Sequence, residues 1–504
     1  MPPEHATLRA SAGDHWRHNK RTIMDNLKEK TAKGLFWGTL NSGTTQVLNL
    51  VIGIFLARLL SPGEYGIVGM LTIFTAIAGN LQSSGFSTAL INMKEPQHKD
   101  YNSVFWFNIL TSITLYVILF FCAPLIASYF RQPCLVELSR FLFLAFVIGS
   151  FGIVPNAYMT KHLMVREITI VSTIALLSSG IAGIGLAIGG YSYWSLAWQQ
   201  VIYISIMNIG RFYFTAWRPS LSIDFSPIRR MFPFSVKILI TMIINTVNAN
   251  ILTVIFGRLF SARAVGNFTQ AYKWDAMAYS LIANAMAQVA QPVFATISDE
   301  QERERRVFRK MMRFAAFLSF PVMFGLTLTA NEFVLITITE EWAGSVILLQ
   351  ILSISGAFFP IYLIYRDLMI AKGRSDVYMW CNLAQIIIQI ILILLVHSYG
   401  MTAMVTVYTI FNILWMLVWQ HMAQRLIGVT LAQVLADIVP FALTAAAVMA
   451  VTAVATAWIC NIIVLFIARV VMAAALYFAV MKVAKVKILD ECMAFIARKK
   501  RKEQ

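Results

Sequence analysis

The stretch LARLLSPGEYG, residues 56–66, returns in altered form two hundred positions later as FGRLFSARAVG, residues 256–266. Four of its positions carry the same residue in both copies: Arg58 and Arg258, Leu59 and Leu259, Ser61 and Ser261, and Gly66 and Gly266. Each copy joins the end of one apolar run to the start of the next. We therefore interpret the chain as one hydrophobic unit used twice, an arrangement that favours functional residues where two related halves meet.

The composition is typical of an integral membrane protein. Of 504 residues, 59% are hydrophobic and 13% are charged, against about 25% charged in soluble domains. Runs of about 20 apolar residues can cross the bilayer as helices. These runs are apolar throughout and do not alternate between apolar and polar residues, which excludes transmembrane strands. We predict an all-α integral membrane protein of about 14 transmembrane helices, near residues 35–57, 65–90, 103–128, 138–158, 168–188, 191–214, 233–256, 265–294, 311–330, 344–365, 376–396, 400–420, 434–456 and 461–481.

The net charge of +17 follows the predicted topology. If both termini lie on one side, 33 of the 41 Lys and Arg residues fall on that side. Only Arg58, Arg131, Arg258 and Arg263 fall on the other side, and the remaining four, Arg140, Lys237, Lys273 and Arg469, lie within spans. This asymmetry predicts cytoplasmic termini by the positive-inside rule. The basic residues then attract membrane lipids, and we expect no nucleic acid partner.

The chain ends and the cysteines exclude several alternatives. Residues 1–32 are polar and lack a signal-peptide pattern, so we expect a disordered cytoplasmic tail, with translation starting at Met1 or Met24. Residues 487–504 form a basic cytoplasmic tail, in which ARKKRK fits a membrane-surface anchor. The five cysteines have no paired spacing, which argues against a metal site or a disulfide framework. The chain also lacks a phosphate loop for ATP hydrolysis.

Polar residues recur on single helical faces inside the predicted spans. Asn41, Thr45 and Asn49 recur every four residues in the first span, and the first two map onto Thr241 and Asn245 at the repeat offset. Amides facing lipid would lack hydrogen-bond partners, so these faces must meet protein or water. The seventh and eighth spans add further members of such stripes: Lys237, Asn248, Gln270, Lys273, Ser280, Asn284, Gln288 and Gln291.

Several motifs resemble those of a known family. LKEKTAKGLFW (27–37), LARLLSPGEYGIVGM (56–70), GFSTALI (85–91) and DYNSVFWFNI (100–109) look like the first half of bacterial polysaccharide flippases, in the branch for exopolysaccharide or O-antigen repeat units. The stretch AQPVFATISDEQERERRVFRKMMRF (290–314) is similar to the second half. The resemblance covers residues 25–485. It implies the multidrug, oligosaccharidyl-lipid and polysaccharide exporter superfamily, whose fold is two pseudo-symmetric lobes around a central cavity.

The resemblance also implies an organisation and an activity. Residues 33–217 would form the N-lobe with spans 1–6, residues 218–427 the C-lobe with spans 7–12, and residues 428–486 spans 13–14. The activity would be alternating-access transfer of an undecaprenyl-diphosphate-linked glycan across the bacterial cytoplasmic (inner) membrane. No cofactor is expected beyond coupling to H⁺ or Na⁺. The implied partners are this glycan and the polysaccharide polymerase and export machinery. The second copy departs from the motif, because SARAVG lacks the Pro-Gly-Glu of SPGEYG.

Two interpretations of the polar stripes remain open. Amides commonly hydrogen-bond between membrane helices. Buried lysines instead favour a water-filled path or an anion, and fixed positive charge suits a sugar diphosphate. The cavity candidates are Lys237, Lys273, Asn41, Thr45, Thr241, Asn245, Asn248, Gln270 and Asn284. Asp275 is the candidate for pairing Lys273 or for binding a coupling cation.

Other charged residues have alternative interpretations. Arg58 and Arg258 fit interfacial anchors or substrate contacts. The segment from Glu302 to Arg313 fits a solvated cytoplasmic helix. Arg469 could face lipid phosphate or Asp437. Two other functions remain as alternatives: a drug/cation antiporter of the same superfamily, and a membrane polysaccharide polymerase or ligase, which the short outside loops disfavour.

Overall fold

The structure is a computed structural model that describes residues 37–489, apart from residues 39, 84, 223, 298–299 and 487. The side chains of residues 82, 83, 234, 237, 238 and 289 also fall outside that description. The predicted N-terminal tail, the choice of start codon and the ARKKRK segment lie outside the described residues.

The described chain is a succession of α-helices. In order they are α1 Leu40–Leu59, α2 Pro62–Ser83, α3 Phe86–Asn92, α4 His98–Phe130, α5 Leu135–Ser150, α6 Ile153–Lys161, α7 Val165–Ile188, α8 Trp194–Phe214, α9 Ser226–Leu259, α10 Ala262–Thr296, α11 Gln301–Thr337, α12 Gly344–Gly356, α13 Phe359–Ala371, α14 Ser375–Leu395, α15 Met401–Ile427, α16 Leu431–Ala455 and α17 Ile462–Val483. Short 3₁₀ turns at Glu340–Trp342 and His397–Tyr399 precede α12 and α15.

Fewer stretches of the described chain than the 14 predicted are long and apolar enough to be recognised as membrane spans. By length and composition, 11 stretches of the described chain can cross a membrane, or 12 if α5 and α6 form one bent span. The remaining two predicted spans correspond to α8 and α10. Both helices are long, at 21 and 35 residues, but α10 carries the amides, lysine and aspartate of the predicted polar stripe. The predicted all-helical membrane architecture is confirmed. α10 is also a helix, but its polar residues make it less apolar than the candidate spans.

The predicted fourth span is broken in the middle. α5 and α6 meet at an angle of 44°, with Gly152 at the break. A Cβ at Gly152 would lie 1.8 Å from Oδ1 of Asn208, whose amide donates to the carbonyl of Ile148. The close approach of α8 therefore explains why the bend contains glycine.

Contacts divide the chain into two compact units. The first unit comprises Met1–Leu56 and Phe74–Ile243, and the second comprises Ala57–Ile73 and Ile244–Gln504. The division passes through the interiors of α1, α2 and α9. The lobe boundaries given in the sequence analysis stay a prediction.

In the first unit, the DYNSVFWFNI motif holds the segment that follows α8. Asn102, Ser103 and Trp106 of α4 donate hydrogen bonds to the backbone carbonyls of Ser222, Asp224 and Ser220, respectively. These carbonyls belong to an irregular segment and have no partner within a helix, so the side chains of α4 satisfy them. The motif therefore has a structural role in fixing the connection to α9.

An ion pair adds to this attachment. Lys99 Nζ lies 2.6 Å from Oδ2 of Asp224, and the Ser226 N–H donates to the other carboxylate oxygen at 2.7 Å. Both contacts favour the ionised form and lower the pKa of the Asp224 carboxyl to about 2. This carboxylate therefore stays charged, and the attachment intact, throughout the physiological pH range.

In the second unit, α11 packs along α12, α16 and α17. The segment from Glu302 to Arg313, predicted as a solvated helix, is the helical beginning of α11, with one exposed face that includes Glu302, Arg306 and Lys310 and one buried face. Phe308 and Met312 are fully buried, and the buried carboxylate of Glu304 lies 2.7 Å from Nζ of Lys372. Among the alternating charges, one residue per helical turn therefore lies on a buried face of α11.

The repeated sequence marks a close crossing of α2 and α10 within the second unit. A Cβ at Gly66 would lie 1.8 Å from the carbonyl oxygen of Ala262. Reciprocally, a Cβ at Gly266 would lie 1.7 Å from the carbonyl oxygen of Pro62. Since neither site has room for a side chain, the glycine shared by the two copies is required for backbone contact.

Two side chains join the end of α1 to the end of α11 and to the 3₁₀ turn that follows it. Arg58 donates from Nε and Nη2, each at 2.6 Å, to the carbonyls of Thr337 and Ile336, in the last turn of α11, where carbonyls lack helical partners. The buried indole of Trp342 donates to the carbonyl of Ala57 at 2.8 Å. Arg58 thus joins two helix ends, a role that neither of its predicted interpretations includes. Arg258 is exposed at the end of α9.

The crossing predicts a disulfide. A Cβ at Gly69 lies 3.7 Å from Cβ of Thr269, within the range of about 3.5–4.5 Å found in disulfides. In a background without native cysteines, Gly69→Cys with Thr269→Cys is expected to cross-link on oxidation, as measured by mass spectrometry of the joined peptides. Adding Gly66→Ala should suppress the cross-link because it separates the backbones.

The matched control for this cross-link is Gly63→Cys with Thr269→Cys. Among the described residues, a Cβ at Gly63 meets only Oγ of Ser61 within 4 Å, so this pair should remain reduced. Equal cross-linking of the two pairs would contradict the crossing.

Candidate functional site

The second unit contains a cavity of about 370 Å³. It is lined by residues of α9, α10, α12, α13, α14 and α15. Its wall combines amides, tyrosines and tryptophans with one acidic and one basic side chain, Asp275 and Arg366. A mostly apolar wall with a few convergent polar groups is the usual character of a small-ligand site.

The amide part of the wall comes from α9, α14 and α15. Asn245 and Asn248 line the cavity, three residues apart on α9, together with Gln385 and Asn412. Gln385 Nε2 donates to Oδ1 of Asn412 at 2.9 Å. These side chains offer both donors and acceptors, which matches the hydroxyl groups of a carbohydrate.

The aromatic part of the wall is built around Trp419. The rings of Tyr362 and Tyr378 each lie 5.8 Å from the Trp419 ring. The Tyr362 hydroxyl lies 3.3 Å from both the hydroxyl of Tyr378 and Oδ1 of Asn382, to either of which it can donate, while the Tyr378 hydroxyl donates to Asn245 Oδ1 at 3.4 Å. Packed rings of this kind form a rigid surface with apolar faces and polar edges.

The single basic group of the cavity wall is Arg366. Its guanidinium lies 2.8 Å from Oδ1 of Asp367, which is 1% exposed, whereas the arginine side chain is 29% exposed. Arg366 lies within α13, which continues to Ala371, whereas the predicted span ends at residue 365. The buried Asp367 holds the guanidinium in place and leaves part of it available to an anion.

The acidic group of the wall is Asp275 on α10. The residue is 3% exposed, and its Oδ1 has no hydrogen-bond partner among the described residues. A Cβ at Gly356 of α12 would lie 2.4 Å from this oxygen. Only glycine therefore leaves space for the carboxylate where α10 and α12 meet.

Three of the predicted site residues come together in this cavity: Asn245, Asn248 and Asp275. Lys273 is half-buried outside the cavity wall, and within the described chain no ion pair joins it to Asp275. Gln270 is buried behind the wall, and Asn284 is exposed further along α10. The side chain of Lys237 lies outside the described residues.

The remaining predicted residues lie in the first unit. Asn41 accepts a hydrogen bond from Ser172 Oγ of α7 at 2.7 Å, as expected of an interhelical amide. Thr45 on α1 and Thr241 on α9 are half-buried.

Arg469 has a partner that the sequence analysis did not consider. Its Nη1 donates to Oε1 of Glu332 at 2.8 Å and to the carbonyl of Leu328 at 3.1 Å. Asp437 instead pairs with Arg309 at 2.6 Å. Arg469 thus joins the last span to α11, because a charge buried within helices requires an opposite charge.

Sequence reasoning missed Arg366 and the tyrosines that surround Asp275. The tyrosines resemble ordinary aromatic residues of membrane helices, so their pattern carries no distinguishing signal. Arg366 did offer one. It follows an apolar run directly and is adjacent to an acidic residue, a pair that is expensive in a membrane without a function.

The cavity predicts selective labelling on α9. In a cysteine-free background, a small polar thiol reagent is expected to modify Asn245→Cys, whose parent side chain is exposed at the cavity. Leu252→Cys is the control, because Leu252 lies on the same helix, is 3% exposed and is not part of the wall. Mass spectrometry measures the modified fraction. Equal modification at both positions would contradict the assignment.

Comparisons with known proteins agree with this architecture. A family described as polysaccharide biosynthesis protein matches residues 55–347. The lipopolysaccharide biosynthesis protein WzxC of Escherichia coli K12 is 26% identical over 358 residues, 70% of this chain and 72% of that protein. The teichuronic acid biosynthesis protein TuaB of Bacillus subtilis is 25% identical over 433 residues, 84% of this chain and 88% of that protein.

Solved structures show the same fold. The lipid II flippase MurJ, in an inward closed conformation, aligns with a TM-score of 0.74 at 14% identity, covering 90% of this chain and all of that one. An inward-facing multidrug transporter of the MATE family aligns with a TM-score of 0.61 at 16% identity, covering 76% and 94%. The resemblance inferred from the sequence motifs is confirmed, and the chain belongs to the polysaccharide biosynthesis protein family with the membrane fold of these transporters.

Proposed function

We propose that this protein is a flippase that moves an undecaprenyl-diphosphate-linked oligosaccharide repeat unit across the bacterial cytoplasmic membrane. The proposal rests on the family, on the fold and above all on the cavity of the second unit. It includes no catalytic residue, because the step is a transfer between leaflets. The charge asymmetry of the sequence supports cytoplasmic termini.

The cavity supports a carbohydrate ligand. Sugar rings have apolar C–H faces that pack on aromatic rings, and their hydroxyls exchange hydrogen bonds with amides. The ring cluster at Trp419 and the amides Asn245 and Asn248 provide both types of contact. A volume of about 370 Å³ is at the lower end of the range for ligand sites, and suits part of a glycan.

The cavity also supports an anionic linkage. Arg366 offers a guanidinium fixed by Asp367, which suits bidentate binding of a phosphate oxygen pair. In the low-dielectric interior a fixed cation is worth more than an exposed one. In this proposal the diphosphate lies near Arg366 while the sugars contact the rings.

Transport requires an energy source, and we assign to Asp275 the binding of the cation whose gradient drives export. By alternating access, the protein exports the glycan while H⁺ or Na⁺ enters and binds this carboxylate. Tyr272, Tyr279 and Tyr408 line the cavity with Asp275, so cation binding and glycan binding take place in one space.

Arg366→Gln is expected to reduce glycan export by about tenfold, because it removes a charge-assisted hydrogen bond of about 1.5 kcal/mol. The measurement is the amount of lipid-linked repeat unit that accumulates in cells, with protein level monitored. Arg366→Lys should retain partial export. Asp367→Asn is the control for the buried pair, since it keeps the cation and should affect export less. Normal export by Arg366→Gln would contradict the role of this residue.

Asp275→Asn is expected to remove the dependence of export on the ion gradient, whereas Asp275→Glu should keep part of it because the charge survives. The measurement is export in cells with and without an ionophore that collapses the gradient. The drug/cation antiporter remains the alternative, and Asp275 in the cavity wall is the residue that favours it. That alternative requires wild-type expression to raise resistance to cationic drugs, and we expect no such increase.

A further inference from the structure

A line of buried polar groups without partners leads along α10 to Asp275. Asn267 Oδ1, both amide atoms of Gln270, Trp274 Nε1 and Asp275 Oδ1 all lack a hydrogen-bond partner among the described residues. Gln270 is 1% exposed and Trp274 is 3% exposed. Each orphaned group costs about 1–3 kcal/mol unless something satisfies it. Four such residues within nine positions therefore form a place where small polar molecules would gain hydrogen bonds.

The spacing of these residues suits a continuous path. From Asn267 to Gln270 to Trp274 the steps are three and four residues, about one helical turn or 5.4 Å each, and Asp275 follows Trp274 directly, about 100° further around the helix. The line begins near the repeated motif at Ser261 to Gly266 and ends at the carboxylate in the cavity wall. Its whole length is about 12 Å along the helix axis.

Two glycines of α12 mark the ends of the line. A Cβ at Gly344 would lie 2.5 Å from Nδ2 of Asn267, and a Cβ at Gly356 would lie 2.4 Å from Oδ1 of Asp275. α12 thus lacks a side chain at both points where it meets a polar group of this line. At these two points, polar side chains of α10 occupy the space between α10 and α12.

The unpartnered groups include both donors and acceptors. Gln270 Nε2 and Trp274 Nε1 can only donate, whereas Gln270 Oε1, Asn267 Oδ1 and the ionised Asp275 accept. A bare metal cation would satisfy the acceptors and repel the donors. Water satisfies both, and buried waters usually occupy such places.

We propose that a file of water molecules along Asn267, Gln270 and Trp274 carries protons between the N-terminal end of α10 and Asp275. The proposal rests on the proposed function and assigns its coupling ion as the proton. Each transfer moves a proton from one water to the next, and the last protonates the Asp275 carboxylate. The other titratable or charged groups at the cavity are Tyr272 and Tyr279 of α10, Tyr362 and Arg366 of α13, Tyr378 of α14 and Tyr408 of α15.

The test is proton entry into proteoliposomes that contain the purified full-length protein and a trapped pH dye, after an inward pH gradient is imposed. Gln270→Met keeps the length of the side chain and removes its hydrogen bonds. It is expected to slow proton entry by about tenfold, while Gln270→Asn should retain an intermediate rate. Melting temperature and gel filtration establish that each variant is folded.

Gln389→Met is the matched control. Gln389 on α14 is also 1% exposed and also has both amide atoms without a partner in the described chain, but it is not on α10. The control should keep the wild-type proton rate. Equal loss in Gln270→Met and Gln389→Met, or no loss in either, would overturn the path. Gradient-driven cation entry in wild type that follows Na⁺ and is insensitive to pH would overturn the choice of proton.

The same vesicles separate this proposal from the proposed function. If they carry protons in a Gln270-dependent manner but do not move lipid-linked glycan, the flippase assignment fails and the path stands. If glycan moves and Gln270→Met leaves proton entry unchanged, the path fails alone.

Discussion

The close approach of two backbones at Gly66 and Gly266 is the constraint on which the second unit depends. Because neither position has room for a Cβ, α2 and α10 meet directly. In the same unit, Arg58 and Trp342 join the end of α1 to the end of α11 and to the turn that follows it. The contact sets the position of α10, whose later turns supply Asp275 and two tyrosines to the cavity. The repeated motif thus forms the helix contact that positions α10, and with it Asp275, at the candidate site.

The cavity combines two kinds of chemistry in one space. The rings around Trp419, the amides of α9 and the fixed guanidinium of Arg366 suit a glycan joined to a diphosphate. Asp275 lies in the same wall and suits a cation. Because both charges share a low-dielectric enclosure, occupancy at one is expected to alter affinity at the other. Such reciprocity is what coupled transport requires.

The sequence predicted the helical membrane fold because apolar length is a direct consequence of bilayer thickness. It also located Asn245, Asn248 and Asp275, because polar residues in apolar runs need partners. It did not say which partner each one has. Asn41 bonds to Ser172 and Gln270 is buried behind the wall, outcomes that depend on packing between distant helices. Arg366 was missed because the end of α13 could not be located from composition.

The central claim is tested most directly by transfer of lipid-linked glycan between leaflets. Proteoliposomes containing the purified protein and the repeat unit joined to undecaprenyl diphosphate are treated with a water-soluble glycosidase that reaches only the outer leaflet. The account predicts that glycan initially protected in the inner leaflet becomes cleavable over time when an ion gradient is imposed. Cleavage that stops at the outer-leaflet fraction, as in vesicles without protein, would contradict it.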